Sequence, residues 1–160
     1  MLHATVDVLL WYNVLSLAVW AGGTLFQMLV VVPLWSAQPP DTVRFFFRET
    51  RYTTTINNFF GPRTQALRIL PLLLLLIFGW FFPELRVPLA IAALTMAIGV
   101  AMTFAYVYPI NATLIFKAGG DRSAEEIRSM TRRWIAADRL RFGIMTVGFL
   151  ALLYAFRIFA

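Results

Sequence analysis

The sequence predicts an all-α integral membrane protein, with four transmembrane helices in an up-down bundle and a cytoplasmic interfacial segment between helices one and two. Three observations carry this expectation. The 160 residues are 60% hydrophobic and 14% charged, with a mean hydropathy of +0.73, against about 25% charged in an ordinary soluble domain. Apolar runs recur at the length of about 20 helical residues that a hydrocarbon layer requires. The basic residues are confined to two of the connecting segments.

Taken in order, the expected spans are 7–34, 64–82, 87–116 and 136–158, all within one domain of 1–160. The first begins behind Met-Leu-His-Ala-Thr-Val-Asp, which lacks the basic region of a secretory signal, so a retained first helix is expected, ending near Pro33. Pro39-Pro40-Asp41 then turns the chain. The stretch Thr42 to Phe60 mixes Phe45, Phe46, Phe47, Tyr52, Phe59 and Phe60 with Arg44, Arg48 and Arg51. That is the make-up of an interfacial segment, lying on the cytoplasmic surface or folded under the bundle. Gly61-Pro62 breaks it before the second span, which reaches full length if Arg68 snorkels its charge toward the interface. Pro83 to Pro88 reads as a tight external hairpin, and Gly119-Gly120 as the end of the third helix. Ser123-Ala124-Glu125-Glu126 has capping-box spacing for a last helix, and no proline interrupts it between Ile127 and Phe156.

The net charge of +6 is not spread as a nucleic-acid footprint would be. Five arginines, Arg44 to Arg68, lie in or beside the first loop, and Lys117 with six arginines, Arg122 to Arg141, in or beside the third; only Arg86 and Arg157 fall on the other side. Twelve against two is a positive-inside signal, which places loops one and three in the cytoplasm and both termini outside. The expected location is a bacterial inner (plasma) membrane. The expected partners are the bilayer and a lipophilic small molecule, with no nucleic acid and with room for a homo-oligomer.

No cysteine is present, which excludes disulfides and thiolate sites, and the lone His3, expected to be an exposed terminal residue, cannot pair with a second histidine on a haem. HExxH, a phosphate-cradling glycine loop and a carboxylate pair at i, i+3 inside a span are all missing. No cofactor is therefore expected.

Polar residues inside the spans carry the functional argument, because hydrocarbon makes each one costly without a partner. Helices one and three run in the same direction, so Gln27 and Asn111 should share a level near the cytoplasmic end. Helix four starts from that side and brings Asp138 and Arg141 there, while Trp134, Asp138 and Arg141 fall at i, i+4 and i+7 on one helix face. A polar pocket at the cytoplasmic mouth is expected, lined by Gln27, Asn111, Asp138 and Arg141, with Tyr106 deeper and Trp134 at the rim. Simpler roles exist for each: an interfacial ion pair of Asp138 with Arg139 or Arg141, an Asn111 bonded to backbone freed by Pro109, and interhelical hydrogen bonds from Asn13 and Gln27. Gly22-Gly23 reads as a close-packing point.

Ala21-Gly22-Gly23 followed by Pro33, Pro109-Ile110-Asn111, and Arg133-Trp134 with Arg141 together resemble the small four-span membrane proteins of the anthrone-oxygenase-like family, much of it classed as a domain of unknown function. The family pattern has tryptophan, histidine four residues on and arginine three further; here Asp138 stands at the histidine position. The resemblance implies oxidation of an electron-rich polycyclic phenol such as an anthrone by dioxygen, without metal or flavin. Asp138, Arg141 and Asn111 would be its catalytic residues, Asp138 taking the proton while Arg141 and Asn111 stabilise the oxyanion; Gln27, Tyr106 and Trp134 would bind the substrate. The alternative from another class is a non-catalytic protein that binds lipid or quinone, or a structural or assembly subunit of a larger membrane complex. A small self-associating transporter is less favoured, since no expected span carries an ionisable residue near its centre.

Overall fold

The computed structural model describes residues 1–50, 52 and 58–159. Among these the secondary structure is entirely helical. Four stretches, Leu2–Ser36, Asn58–Gly79, Pro83–Leu114 and Ala124–Phe159, are long and apolar enough to cross a membrane.

The first stretch comprises α1 (Leu2–Phe26), a π-helical turn (Gln27–Val31) and α2 (Val32–Ser36). A short amphipathic helix, α3 (Asp41–Glu49), follows, and α4 (Pro62–Gly79) returns the chain. A 3₁₀ turn at Pro83–Leu85 leads into α5 (Arg86–Met102), a second π turn (Thr103–Val107) and α6 (Tyr108–Leu114). The last helix, α7, runs unbroken over Ala124–Phe159. In the bundle α1 packs on α4 and α7, and α5 also packs on α4 and α7, so α1 and α5 occupy opposite corners. The His3 ring stacks on Phe159 with centroids 4.2 Å apart and meets Phe82 edge-on at 5.9 Å. Both termini and the α4–α5 turn therefore share one end, and α2, α3, α6 and the start of α7 form the other, the loop end.

Prolines explain the two π turns. A helical proline offers no N–H to the carbonyl four residues earlier and crowds it. Ahead of both Pro33 and Pro109 the ladder shifts by one residue, with Val32 N–H donating to the Gln27 carbonyl and Tyr108 N–H to the Thr103 carbonyl. The widened turn begins six residues before the proline in both helices, at Gln27 and at Thr103, and a glycine lies four residues earlier still, Gly23 and Gly99. Each glycine admits a neighbouring side chain: a β-carbon there would collide with the Phe59 ring at 2.5 Å or with Met145 Sδ at 2.8 Å. The proline inside α4, Pro71, is handled otherwise. It leaves the Leu67 carbonyl free, and the Tyr12 hydroxyl of α1 donates to that carbonyl at 3.0 Å.

Several boundaries depart from the sequence expectation. The first helix does not stop near Pro33, because the π turn carries it through to Ser36. The third ends at Leu114 rather than at Gly119-Gly120; the chain unwinds through turns in which Gly119 and Gly120 take positive φ of 82° and 51°. The hairpin expected over Pro83 to Pro88 lies three residues earlier, over residues 80–85, and Pro88 is already helical. Of Gly22-Gly23 only Gly23 is a close-packing point; nothing lies near a β-carbon at Gly22. Part of the interfacial segment, residues 51 and 53–57, lies outside the described residues. Its start, α3, buries Val43 and Phe47 toward the bundle and leaves Phe45 exposed. The capping box forms as the spacing required, with Ser123 N–H donating to the Glu126 carboxylate at 2.9 Å and Glu126 N–H to Ser123 Oγ at 3.3 Å.

Two hydrophobic cores result. The termini-end core gathers Leu10, Leu17, Leu72, Leu75, Leu85, Leu89 and Leu152 with Val6 and Met96. The loop-end core is built around Trp35, Phe47 and Trp134 with Val32, Val107, Leu114 and Ile127. Between them lies a layer of polar residues.

Candidate functional site

The polar layer is set by α7. Trp134, Ala137, Asp138 and Met145 form its buried face at this level, and Asp138 is 1% exposed. One of its oxygens, Oδ1, accepts a hydrogen bond from Arg141 Nη2, one turn along the same helix. Arg141 Nη1 crosses to α5 and donates to Thr103 Oγ1 at 3.1 Å, at the first residue of the second π turn. Thr103 Oγ1 in turn donates to the Gly99 carbonyl at 2.8 Å. The aspartate, the guanidinium and the π turn are thus joined in one chain of hydrogen bonds.

Opposite, α4 contributes Arg68, which is 7% exposed. Its side chain runs back toward the start of α4, as helical side chains do. Nε donates to the Thr64 carbonyl at 3.3 Å, and the guanidinium lies 5.6 Å from the centre of the Trp20 ring on α1. Trp20 in turn stacks on Phe142, the neighbour of Arg141 in α7, with centroids 6.5 Å apart. Two guanidinium groups and one carboxylate therefore share the layer.

Three of these side chains retain buried polar atoms with no hydrogen-bond partner among the described residues: Asp138 Oδ2, Arg141 Nε and Arg68 Nη2. Tyr52, beyond α3, adds a fourth, its hydroxyl. Its ring packs on Phe46 and Phe47 at 5.1 and 6.1 Å. Burial first, and the nearby Asp138 charge second, hold its phenol well above the usual tyrosine range.

The six residues singled out in the sequence are brought together in part. Asp138 and Arg141 are joined, and Trp134 Nε1 donates to Asn111 Oδ1, tying α7 to α6 one turn nearer the loop end. Gln27 is buried in the first π turn. Tyr106 is 45% exposed on the outer surface, because the second π turn rotates it out of the bundle, so it does not reach this layer. A small cavity of about 10 Å³ opens where Met28 and Val32 face Trp134 and Asp138; Asn111, Arg141 and Gln27 do not line it. It has the size of a single water. Asn13 donates to the Leu9 carbonyl at 2.7 Å within its own helix. Arg139, the other candidate partner of Asp138, is exposed.

Sequence reasoning left Arg68, Thr103 and Tyr52 out of the site. The helical period around Arg68 carried a usable signal: Arg68, Leu72, Leu75 and Gly79 fall at i, i+4, i+7 and i+11 and are all buried. No group of three or more His, Cys, Asp or Glu side chains that could hold a metal ion occurs among the described residues. Comparison with family models, with curated proteins and with solved structures gives no match.

Proposed function

We propose that this chain is a small integral membrane protein that binds a lipophilic aromatic molecule at the polar layer, toward the cytoplasmic end of the bundle, by widening the water-sized cavity beside Asp138, and oxidises it with dioxygen. The observation that supports binding is the pair of buried atoms without partners, Asp138 Oδ2 and Arg141 Nε, between two apolar cores. Buried polar atoms are ordinarily satisfied, and an acceptor and a donor on neighbouring side chains suit a ligand that both donates and accepts.

The reaction rests on the resemblance to anthrone oxygenases and on the chemistry of this donor set. An acidic C–H or O–H of the substrate would pass its proton to Asp138 Oδ2, since Oδ1 is held by Arg141. The oxyanion formed would be stabilised by Arg141 Nε. The resulting carbanion supplies electrons to dioxygen directly. For an anthrone, the CH₂ group becomes a carbonyl through loss of four electrons, one oxygen atom entering the product and the other leaving as water. Asn111, committed to Trp134, would act by holding α6 against α7 rather than by touching substrate.

Oxygen uptake by the purified protein with anthrone, above the spontaneous rate in matched detergent, tests the reaction. Wild type is expected to exceed that rate, and Asp138→Asn and Arg141→Gln to return to it. Uptake equal to the spontaneous rate in wild type sinks the oxygenase reading. Sidedness is tested separately: with no native cysteine, Ser123→Cys should resist an impermeant thiol reagent in intact cells and react in inverted vesicles.

A further inference from the structure

A second cavity, larger than the one beside Asp138, lies outside the mouth described above. Between α1 and α4 a groove of about 410 Å³ opens on the outer face of the bundle, lined by Tyr12, Ser16 and Trp20 on one side and Phe59, Thr64 and Arg68 on the other. Its volume falls within the range of small-molecule sites, about 300–1,000 Å³. The walls are apolar and aromatic, and their hydroxyls are already committed: Tyr12 donates to the Leu67 carbonyl at 3.0 Å and Thr64 to the Gly61 carbonyl at 2.8 Å. Arg68 differs. It is more than nine-tenths buried, held between the Thr64 carbonyl and the Trp20 ring, and its Nη2 has no partner among the described residues.

We infer that this groove is a lateral, lipid-facing binding site for a flat lipophilic molecule carrying one ionised oxygen, with the rings against Trp20 and Phe59 and the oxyanion on Arg68. Charge complementarity selects an anion. The layer behind the groove holds two guanidinium groups and one carboxylate, and a buried cation in apolar surroundings is stabilised chiefly by an opposite charge. Aromatic rings on both walls, Tyr12 and Trp20 on α1 and Phe59 just ahead of α4, select a planar body over a flexible chain. The Tyr12 hydroxyl, bonded to the Leu67 carbonyl freed by Pro71, joins the two walls of the groove beside Arg68. The inference rests on the ligand-binding half of the proposed function and adds the class of ligand and the route by which it arrives: from the bilayer, between α1 and α4, rather than from the cytoplasmic mouth.

The test is fluorescence titration of the protein in lipid nanodiscs with 9-anthracenecarboxylate and with the neutral 9-anthracenemethanol, each corrected with empty nanodiscs. Wild type is expected to bind the carboxylate at least tenfold more tightly than the alcohol. Arg68→Gln should abolish that difference, Arg68→Lys should keep part of it, and Ser16→Phe, which fills the groove without touching the polar layer, should weaken both probes. Equal affinities in wild type, or a preference that survives Arg68→Gln, overturn the inference. A preference lost in Arg141→Gln but kept in Arg68→Gln places the ligand at the polar layer, so that the proposed function stands and the groove does not. If Arg68→Gln alone removes the preference, the groove stands whether or not oxygen is consumed.

Discussion

The two cores of this protein are made of different material. The termini-end core is mainly leucine, with Trp20 and Phe159 at its margins, and glycines admit neighbours between its helices: a β-carbon on Gly148 would collide with Thr95 on α5, and one on Gly99 with Met145 on α7. The loop-end core is smaller and aromatic, with Trp35 packed against Trp134 at 5.3 Å and against Phe47 at 5.4 Å, and it needs the amphipathic α3 to cover it. In lipid the unfolded helix is as well solvated by acyl chains as by leucine, so tight packing must do the work that water exclusion does elsewhere. If the loop end projects beyond the hydrocarbon, as α3 with its mixed face fits, the loop-end core works by the opposite means, removing large rings from water. The polar layer lies at the change from one regime to the other, which is also where both prolines shift the backbone into π turns. Such turns displace side chains by about a residue and are common at functional sites.

The boundary is expected to be the most sensitive place. Asp138→Leu leaves the Arg141 guanidinium, 14% exposed, without its carboxylate, a loss of about 3–5 kcal/mol for a broken buried pair. The double substitution Asp138→Leu with Arg141→Met should recover most of that loss, since neither charge is then buried. Thermal unfolding in one detergent reads both. A double variant as unstable as the single would mean that the pair's geometry, rather than its charge, holds the two cores together.

The next contrast sets leucine against leucine. Leu114 and Leu152 are both fully buried, one in each core. Leucine-to-alanine changes in cores cost about 2–5 kcal/mol. Leu114→Ala should fall in the upper part of that range and Leu152→Ala in the lower. With the loop end in water and the termini-end core in hydrocarbon, a methylene lost at Leu114 forfeits burial from water as well as packing, whereas Leu152 forfeits packing alone. Equal losses, measured by reversible unfolding in mixed micelles, would remove the distinction between the cores.

A smaller effect is expected at the tie between α6 and α7. Trp134→Phe keeps most of the ring and removes the donor to Asn111 Oδ1, which should cost about 1–2 kcal/mol. Asn111→Ala should cost a similar amount, and a double-mutant cycle should show the two losses to be shared rather than additive. Additive losses would mean that each residue acts through other neighbours.

How far this could be read from the chain follows from the same physics. Span number and the capping box were legible because hydropathy and the Ser123–Glu126 spacing are local signals. The Trp134, Asp138, Arg141 stripe was legible because α7 is unbroken and obeys one period. Tyr106 and Asn111 were placed with the same period, but the π turn at Thr103–Val107 adds a residue to the turn, so counting by 3.6 misdirects Tyr106. Arg68 was read as an interfacial cation because a sequence gives no sign that Trp20, 48 positions away, offers its ring as a partner. The site is assembled by long-range contacts, which leave only a helical burial pattern in the sequence.

At neutral pH the smallest effect of all is expected from Tyr52→Phe. The Tyr52 hydroxyl is buried with no hydrogen-bond partner among the described residues, so its removal should leave stability unchanged or raise it slightly. The same residue should become visible at alkaline pH. Burial, and then the Asp138 carboxylate, raise the folded-state pKa above the ordinary value of 10.0, so the folded protein keeps a proton that the unfolded chain releases. Stability that depends on the neutral phenol is therefore fully present below pH 10 and is lost as pH climbs from there toward the raised value. Wild type should lose stability more steeply than Tyr52→Phe over that interval, the remaining tyrosines contributing alike to both. Parallel curves would place Tyr52 in water and away from Asp138, and would leave the loop-end core without its contact to the polar layer through this residue.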